Sequence, residues 1–570
     1  MSDEHRLADD WDAIVVGSGM GGLTCAAYLA VAGHRVLVLE QAGVLGGNSH
    51  VFRRRSAYEF DAGVHYIGDC GPDGVLPSIL RGLGLGDRVT FREMDPDGFD
   101  EVVLPELRMS VPVGWDRYLG RLVEVLPADK DGLREFVAVC SAVGAEMRWT
   151  LLSAAGAEPA EVLRRTPTAV AWGRRTLHEL FEHCGLSAAA RTVLAAQALN
   201  YGIGPEEATV GMHASVTDHY LRGAAYPVGG GQMLAASLTE AITGHGGTVR
   251  TGHRVDRVLV EQGRACGVVL DGGRELRSPV VVSNADYVRT VRELTGEEHF
   301  PASIGKRART AVTGFPLVVL YVGLDRELPG RTGANLWWHG NADVEEAFRR
   351  LAGGRFDAPP SVFISFASLK DPDTAAIRPP GHANFQVMAL CPRSLEAWGA
   401  AAASESGGPY RRDPAYLAEK ERVTEAMLAT AERALGPFRR YVTHLELATP
   451  ATQRRYTRST GGSPFGLARW GGTGARPDTR TSVTGLYVVG QSTRYGSGIT
   501  GAAVSGIACA GQILGRPLLP EVHAGAVLGD PGRLPARGPD WDPLRLCGGR
   551  ARRGTRPRCT GVPGRGVLSR

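Results

Sequence analysis

The chain has 570 residues, of which 43% are hydrophobic, and a formal net charge of +4. This length predicts two domains rather than one, with enough apolar residues for a large core. Most of the positive charge lies at the C-terminal end, where residues 521–570 hold ten arginines and four acidic residues. The body of the chain is therefore not basic, and no nucleic-acid partner is expected.

Neither the cysteines nor the hydropathy pattern indicates a metal centre or a membrane span. The nine cysteines show no C-x-x-C spacing, so the sequence predicts no metal ligands and no disulfide framework. The polar residues 1–6 are unlike a signal peptide, and no run of 18 apolar residues marks a transmembrane helix. We expect a cytoplasmic protein, with peripheral contact to a membrane as a further possibility.

The first predicted elements form a strand, a glycine-rich turn, a helix and a second strand. Apolar residues at 13–17 and 36–39 predict buried strands on either side of a helix at 23–32. Gly17, Gly19 and Gly22 have the G-x-G-x-x-G spacing, and Glu40 ends the second strand. In such a turn the glycines let a pyrophosphate approach the helix N-terminus, and the acid binds a ribose hydroxyl. The pattern indicates a dinucleotide site, and Glu40 disfavours NADP.

Further glycines decide which dinucleotide is expected. Gly46 and Gly47 follow Glu40 closely and would bring a second backbone segment to the phosphates, although an ordinary turn is the alternative. Far along the chain, Gly490, Gln491 and Gly498 follow another apolar strand and precede a helix of small residues. Backbone amides there could meet the ribityl chain and pyrophosphate from the opposite side. Two such segments indicate FAD rather than NAD.

Three stretches resemble a known family of flavoproteins. They are the N-terminal segment through Phe60-Asp-Ala-Gly-Val-His-Tyr-Ile-Gly68, the run Tyr226-Pro-Val-Gly-Gly-Gly231, and the segment that begins at Gly490. The family includes bacterial phytoene desaturases, carotenoid isomerases and retinol saturases, and the resemblance runs from about residue 10 to 515. The 61–68 run and Gln491 are most similar to retinol saturases, because desaturases and amine oxidases more often have an acid after that glycine.

The resemblance implies an α/β fold in two interleaved domains. A Rossmann-type, glutathione-reductase-like FAD-binding domain would consist of residues 10–75, 225–300 and 480–515. A substrate domain with a mixed sheet and helices would consist of residues 76–224 and 301–479. Val255, on a strand of the second FAD-binding segment, would lend its backbone to the adenine.

Two other segments carry structural predictions of their own. Residues 162–197 have apolar residues at helical spacing, divided near Pro167 and Gly185 and interrupted by arginines. A core-facing helix is favoured there, and a helix on a membrane surface is the alternative. Residues 521–570 are rich in Gly, Pro and Arg without periodicity, which predicts disorder. This tail could be a solvated appendage, a reading-frame artefact or a membrane tether.

Four residues are candidates for proton transfer next to the expected flavin ring: His65, Tyr66, His219 and Tyr226. Imidazole is the side chain best suited to acid–base work at neutral pH. For each of them, a packing role with satisfied hydrogen bonds is the alternative.

The resemblance implies an FAD-dependent oxidoreductase that reduces or desaturates carbon–carbon bonds of a polyene, carotenoid, retinoid or similar apolar metabolite. NAD(P)H could dock transiently as the electron donor. The alternatives are a carotenoid cis–trans isomerase that uses reduced FAD, a flavin amine oxidase, and a non-enzymatic prenyl binder like the guanine-nucleotide dissociation inhibitors. The substrate and the oligomeric state stay open.

Overall fold

A computed structural model describes residues 10–55, 57–399, 410–469 and 476–548. Its first layer is a five-stranded parallel sheet assembled from three distant parts of the chain. In spatial order its strands are Thr248–Arg250, Val36–Leu39, Ala13–Val16, Val281–Ser283 and Leu486–Val488. The two N-terminal strands are buried along their whole length, as expected for a parallel sheet that is covered on both faces.

Three helices of small residues pack together beside this sheet: Met20–Val31, Gln232–Gly244 and Gly498–Leu514. The first and third approach so closely that a Cβ atom on Gly506 would lie 2.4 Å from the Gly21 carbonyl oxygen. A Cβ atom on Gly21 would lie 2.8 Å from the Gly490 nitrogen. Glycine is therefore required where the N-terminal and C-terminal glycine-rich segments meet.

The other face of the parallel sheet packs on a small antiparallel sheet. Its strands are Val255–Glu261, Arg264–Leu270 and Glu275–Arg277. The short helices that follow are Tyr287–Arg289 and Ala302–Arg309.

The second layer is a seven-stranded mixed sheet. In spatial order its strands are Val442–Ala448, Leu317–Leu324, Ala383–Leu390, Ser361–Ser365, Asn335–His339, Asp100–Leu104 and Leu107–Val111. One pair is parallel, Asn335–His339 with Asp100–Leu104, and the others are antiparallel. This arrangement confirms the predicted fold class of a Rossmann-type domain with an interleaved mixed-sheet domain.

Three smaller strand groups connect the two layers. They are Val51–Arg54 with Tyr58–Asp61, Ile67–Gly68 with Ala224–Pro227 and Phe91–Glu93, and Val312–Thr313 with Leu467–Arg469.

Further helices pack around both sheets. They are Val75–Gly82, Trp115–Val125, Lys130–Ser153, Pro159–Arg165, Pro167–Trp172, Leu177–His183, Ala188–Leu194, Val210–Leu221, Val344–Ala352, Ala367–Lys370, Pro414–Leu435 and Pro450–Thr457.

The predicted helical stretch 162–197 contains parts of four short helices, divided at Pro167 and Gly185 as expected. Pro167 begins the second of them, and a capping box between Thr176 and Glu179 begins the third. Gly185, at φ +62°, follows the third and lets the chain turn. The third and fourth helices bury their apolar residues, as the core-facing interpretation requires.

The prediction of a disordered tail from residue 521 is wrong for the described part of it. Helices Leu518–His523 and Pro543–Leu546 lie in this segment, and Cys547 is fully buried. The Arg537 guanidinium bonds both carboxylate oxygens of the buried Glu240, the Nε distances being 3.1 Å. Composition failed because contacts with the rest of the molecule order this segment. Residues 549–570 lie outside the described residues.

Candidate active site

A cavity of about 1840 Å³ is lined by residues of both layers. On the side of the parallel sheet, its walls include Gly19, Gly46, Gly490, Gln491 and Gly498. On the side of the mixed sheet, the walls include the apolar and aromatic side chains of Leu317, Val319, Tyr321, Phe363 and Met388. Backbone-rich walls and apolar walls therefore enclose one continuous space.

The N-terminal glycine turn is fixed by steric limits. Gly17 has φ +95°, and a Cβ atom on Gly22 would lie 2.4 Å from the Gly17 carbonyl oxygen. Gly19 is the N-cap of the Met20–Val31 helix and brings no side chain to its first turn. The helix N-terminus is therefore open to an anionic group from the cavity.

The second glycine pair lies directly against this turn. The Gly46 nitrogen donates to the Ser18 carbonyl oxygen at 3.1 Å, and Gly46 has φ +119°. A Cβ atom on Gly47 would lie 3.1 Å from the Gly19 Cα atom. The two segments thus form one cradle of backbone, which a dinucleotide pyrophosphate fits.

Glu40 ties the end of its strand to the glycine turn. Its carboxylate accepts hydrogen bonds from the Ser18 nitrogen at 2.9 Å, the Ser18 hydroxyl at 2.7 Å and the Ala42 nitrogen at 2.8 Å. A carboxylate has about four acceptor positions, so one is left for a ribose hydroxyl. The His253 nitrogen donates to the Glu40 carbonyl oxygen at 2.9 Å, which places the strand that begins at Val255 next to Glu40.

The structure divides the predicted cofactor residues into two sets. Gly19, Gly46, Gly490, Gln491 and Gly498 line the cavity, whereas Gly17, Gly22, Glu40, Gly47 and Val255 are not among its lining residues.

His65 and His219 both line the cavity, but neither titrates near neutral pH. Burial and, to a smaller extent, the charge of the nearby Lys370 lower the pKa of His65 to about 3. Burial also lowers the pKa of His219 to about 4, and its Nε2 atom accepts a hydrogen bond from the Gly68 nitrogen at 3.0 Å. Both imidazoles are therefore neutral at pH 7, and their role in proton transfer stays a prediction.

The two tyrosine candidates differ in position. The Tyr66 ring lines the cavity and stacks on Tyr220, with ring centroids 4.1 Å apart. Its hydroxyl donates to Asp100 at 3.1 Å and accepts from Asn200 at 3.0 Å. Tyr226 does not line the cavity; its hydroxyl donates to the buried Asp61.

Asp61 anchors the glycine loop that follows Tyr226. Its carboxylate also accepts a hydrogen bond from the Gly231 nitrogen at 2.7 Å. Burial raises the pKa of Asp61 to about 7, while the bonds from Tyr226 and Gly231 oppose that rise. Tyr226 thus holds the loop in place from behind the wall.

Sequence reasoning missed two charged residues behind Tyr66. The Asp100 carboxylate accepts from Asn335 at 2.8 Å and from Gln197 at 2.9 Å, and Asn335 in turn accepts from Lys370. Burial lowers the pKa of Lys370 to about 7, although Asp100 and Asp61 raise it. The sequence marked Lys370 only by the rarity of lysine, since the chain has four lysines among its 64 basic residues.

The parallel sheet, the paired glycine segments and the shared cavity define an FAD-dependent oxidoreductase. The family model of flavin containing amine oxidoreductases matches residues 20–290. The chain is 29% identical to all-trans-retinol 13,14-reductase of Danio rerio, over 90% of this chain and 87% of the relative. It is 27% identical to prolycopene isomerase 1 of an Oncidium hybrid cultivar, over 89% of this chain and 84% of the relative. These relatives support the predicted resemblance to the flavoproteins that include retinol saturases and carotenoid isomerases.

Solved structures share the fold. An oxidoreductase from Methanosarcina mazei superposes with a TM-score of 0.57 at 18% identity, covering 87% of this chain and 99% of that one. Cyclohexylamine oxidase from Brevibacterium oxydans gives a TM-score of 0.55 at 17% identity, covering 89% and 100%. These likenesses show that the chain shares its overall fold with these two proteins.

Proposed function

We propose that the protein reduces or desaturates a carbon–carbon bond of an apolar polyene of the retinoid or carotenoid class. This proposal rests on the observation that one continuous cavity runs from the dinucleotide cradle to the apolar side chains of the mixed sheet. Its volume of about 1840 Å³ exceeds the roughly 300–1,000 Å³ typical of a pocket for one small ligand. It has room for both a dinucleotide and a long apolar molecule.

Within this cavity FAD would be held by Gly19, Gly46, Gly490 and Gly498, and it supplies two-electron chemistry at its flavin ring when bound. The apolar side chains of the mixed sheet exclude water from a substrate beside it. Among the predicted proton-transfer candidates, Tyr66 lines the cavity, and Asp100 and Asn200 fix the position of its hydroxyl, so we assign it the handling of a proton.

Reduction is favoured as the direction because the all-trans-retinol 13,14-reductases match this chain at slightly higher identity than the prolycopene isomerases. The match to prolycopene isomerases supports a second candidate, a cis–trans isomerase. Such an enzyme would need reduced FAD, but neither the flavin nor the substrate would be oxidised overall. Electrons would come from NAD(P)H that docks transiently, or from another donor.

The test is an anaerobic stopped-flow experiment on the purified FAD-loaded protein. It is reduced with NADPH, NADH or dithionite and then mixed with a panel of retinoids and carotenoids. A blue shift of the polyene spectrum with stoichiometric reoxidation of the flavin supports the reductase. A spectral change without flavin reoxidation supports the isomerase. Peroxide release from amines in air, with no change in any polyene, would overturn both in favour of an amine oxidase.

We also propose that the protein is cytoplasmic and docks on a membrane through one end of the cavity. Met147, Leu163 and Val170 are 40%, 60% and 60% exposed, and Met147 lines the cavity. Arginines at 164, 165, 174 and 175 accompany them. Exposed apolar residues beside arginines suit the surface of an anionic bilayer, where apolar polyenes dissolve. No helix in the described ranges is long and apolar enough to cross a membrane.

Vesicle co-sedimentation tests the docking surface. The wild type should sediment with vesicles that contain phosphatidylglycerol, and the Leu163→Glu/Val170→Glu variant should stay in the supernatant. Val527→Glu is the matched control, because Val527 is 57% exposed but lies in the C-terminal segment. Equal sedimentation of the wild type and the double variant would contradict this surface.

A further inference from the structure

Arg476 is a cation at the cavity wall that has no carboxylate partner among the described residues. Its Nη1 atom donates to the Gln491 carbonyl oxygen at 2.7 Å, and its Nη2 atom lies 3.5 Å from the Phe465 carbonyl oxygen. Its Nε atom is buried and has no hydrogen-bond partner in the described part of the chain. Burial lowers the pKa of Arg476 to about 10, so the guanidinium stays charged at neutral pH.

The residues beside Arg476 do not neutralise its charge. Gln491 contacts it through a main-chain oxygen and has an uncharged side chain. Arg494 is the other basic residue of this loop on the cavity wall, and it pairs with Asp478 at 3.3 Å. A buried charge is costly unless it is paired, so we expect the guanidinium to pair with a negatively charged group bound in the cavity.

A helix N-terminus reinforces the same positive region. The Gly498–Leu514 helix begins on the cavity wall, and its N-cap, Ser497, makes no side-chain capping bond. Thr500, in the first turn, also lines the cavity, and its buried hydroxyl has no hydrogen-bond partner in the described part of the chain. Two unsatisfied polar groups and the positive end of a 17-residue helix therefore line the same cavity.

This place lies at the border between the two layers. Phe465, whose carbonyl faces Arg476, belongs to the same hydrophobic core as Val319 and Phe363 of the mixed sheet. The pyrophosphate cradle is made instead by the segments around Gly19 and Gly46. The reactive ring of FAD must reach the apolar walls, whereas the phosphates need not.

We propose that Arg476 holds the negative charge that develops on the pyrimidine edge of the reduced flavin ring, and so raises the reduction potential of the cofactor. This inference rests on FAD binding and does not depend on the polyene substrate. A cation near N1 of the ring favours the reduced form because it offsets the charge that reduction adds.

The experiment measures the reduction potential of the FAD-loaded protein by equilibration with a reference dye, without substrate. In Arg476→Met the equilibrium constant for two-electron reduction should fall at least tenfold, which is a shift of about 30 mV to more negative potential. Arg476→Lys should retain most of the wild-type potential. Gln491→Glu, which keeps Arg476 and adds a carboxylate to the loop, should shift the potential in the same negative direction. Arg516→Met, just beyond the far end of the same helix, is the control for loss of a positive charge.

The outcomes separate the possible roles of the guanidinium. An unchanged potential in Arg476→Met with FAD still bound overturns the proposal. Weaker FAD binding at an unchanged potential also overturns it, and shows that Arg476 contacts the phosphates. If Arg476→Met does not fold, Gln491→Glu and Arg476→Lys decide the matter, and an unchanged potential in Gln491→Glu counts against the proposal. A protein that binds FAD but transforms no polyene would refute the proposed substrate and leave this measurement intact.

Discussion

The ammonium group of Lys370 lies 2.7 Å from the main-chain carbonyl oxygen of His65. The same ammonium donates to the Ser365 hydroxyl at 2.7 Å and to the Asn335 side chain. Its three hydrogens therefore connect the cavity-lining segment at His65 to two neighbouring strands of the mixed sheet. This lysine holds His65 and Tyr66 at the cavity wall from behind.

Replacing Lys370 by Met should change how stability depends on pH. Burial lowers the pKa of Lys370 to about 7, below the 10.5 expected for an unfolded chain. Between these values the unfolded chain binds the extra proton, so the contribution of Lys370 to wild-type stability rises with pH, by at most about 1.4 kcal/mol per pH unit. Urea unfolding at pH 6 to 9 should show the wild type gaining on Lys370→Met above pH 7. The exposed Lys306→Met is the control, and a constant difference for Lys370→Met would contradict the expectation.

The buried imidazoles should make the protein sensitive to acid. The folded pKa values of about 3 for His65 and about 4 for His219 lie below the unfolded value of 6.5. Unfolded imidazoles take up protons first, so stability should fall as pH drops from about 6.5 to 4. Urea midpoints across this range should fall less in His219→Gln, because glutamine takes up no proton there. The variant should still fold, since a glutamine oxygen can accept from the Gly68 nitrogen. An unchanged acid sensitivity in that variant would show that His219 is not a source of it.

Substitution at Gly22 should abolish FAD binding, whereas substitution at Gly43 should not. A Cβ atom at Gly22 would lie 2.4 Å from a backbone oxygen of the glycine turn, which cannot move without opening the cradle. A Cβ atom at Gly43 meets nothing within 4 Å. The ratio of flavin to protein absorbance after purification measures the outcome. We expect at least a tenfold loss for Gly22→Ala and a wild-type ratio for Gly43→Ala. Normal flavin content in Gly22→Ala would refute the assignment of this turn.

Loss of the Asp542 charge should loosen the loop around Gly46, although Asp542 is far from that loop in the sequence. The Asp542 carboxylate bonds Arg53 at 2.7 and 2.8 Å, and the Cys547 carbonyl accepts from the Leu45 nitrogen, one residue before Gly46. Removing a hydrogen bond to a charged group costs about 1.5–3 kcal/mol. In Asp542→Asn the buried Cys547 thiol should therefore react more than tenfold faster with a thiol reagent, and FAD should bind more weakly.

The reactive thiol in that experiment is identified with a second substitution. Cys547→Ser in the Asp542→Asn background should remove the new phase, while the partly exposed Cys70, Cys184 and Cys266 react in every variant. A thiol phase that is unaffected by Asp542→Asn would show that this ion pair does not secure the C-terminal segment.

The fold class, the FAD cofactor and the resemblance to a flavoprotein family were predictable from the sequence because their signals are local. The Gly17 turn and Glu40 lie within one strand–helix–strand unit, so their spacing along the chain fixes their spacing in space. The C-terminal strand and its glycine-rich helix are likewise self-contained, and each segment is recognisable without its neighbours.

The chemistry of the cavity was decided by tertiary structure. Lys370 meets His65 from 305 residues away, and Asp100 meets Asn335 from 235 residues away. The order of residues 521–548 depends in the same way on Glu240 and Arg53, which composition cannot reveal. A pKa follows from burial and from the charges that folding brings near. The sequence alone therefore determined which cofactor the chain binds, and packing alone decided which side chains beside it stay neutral, stay charged or find no partner.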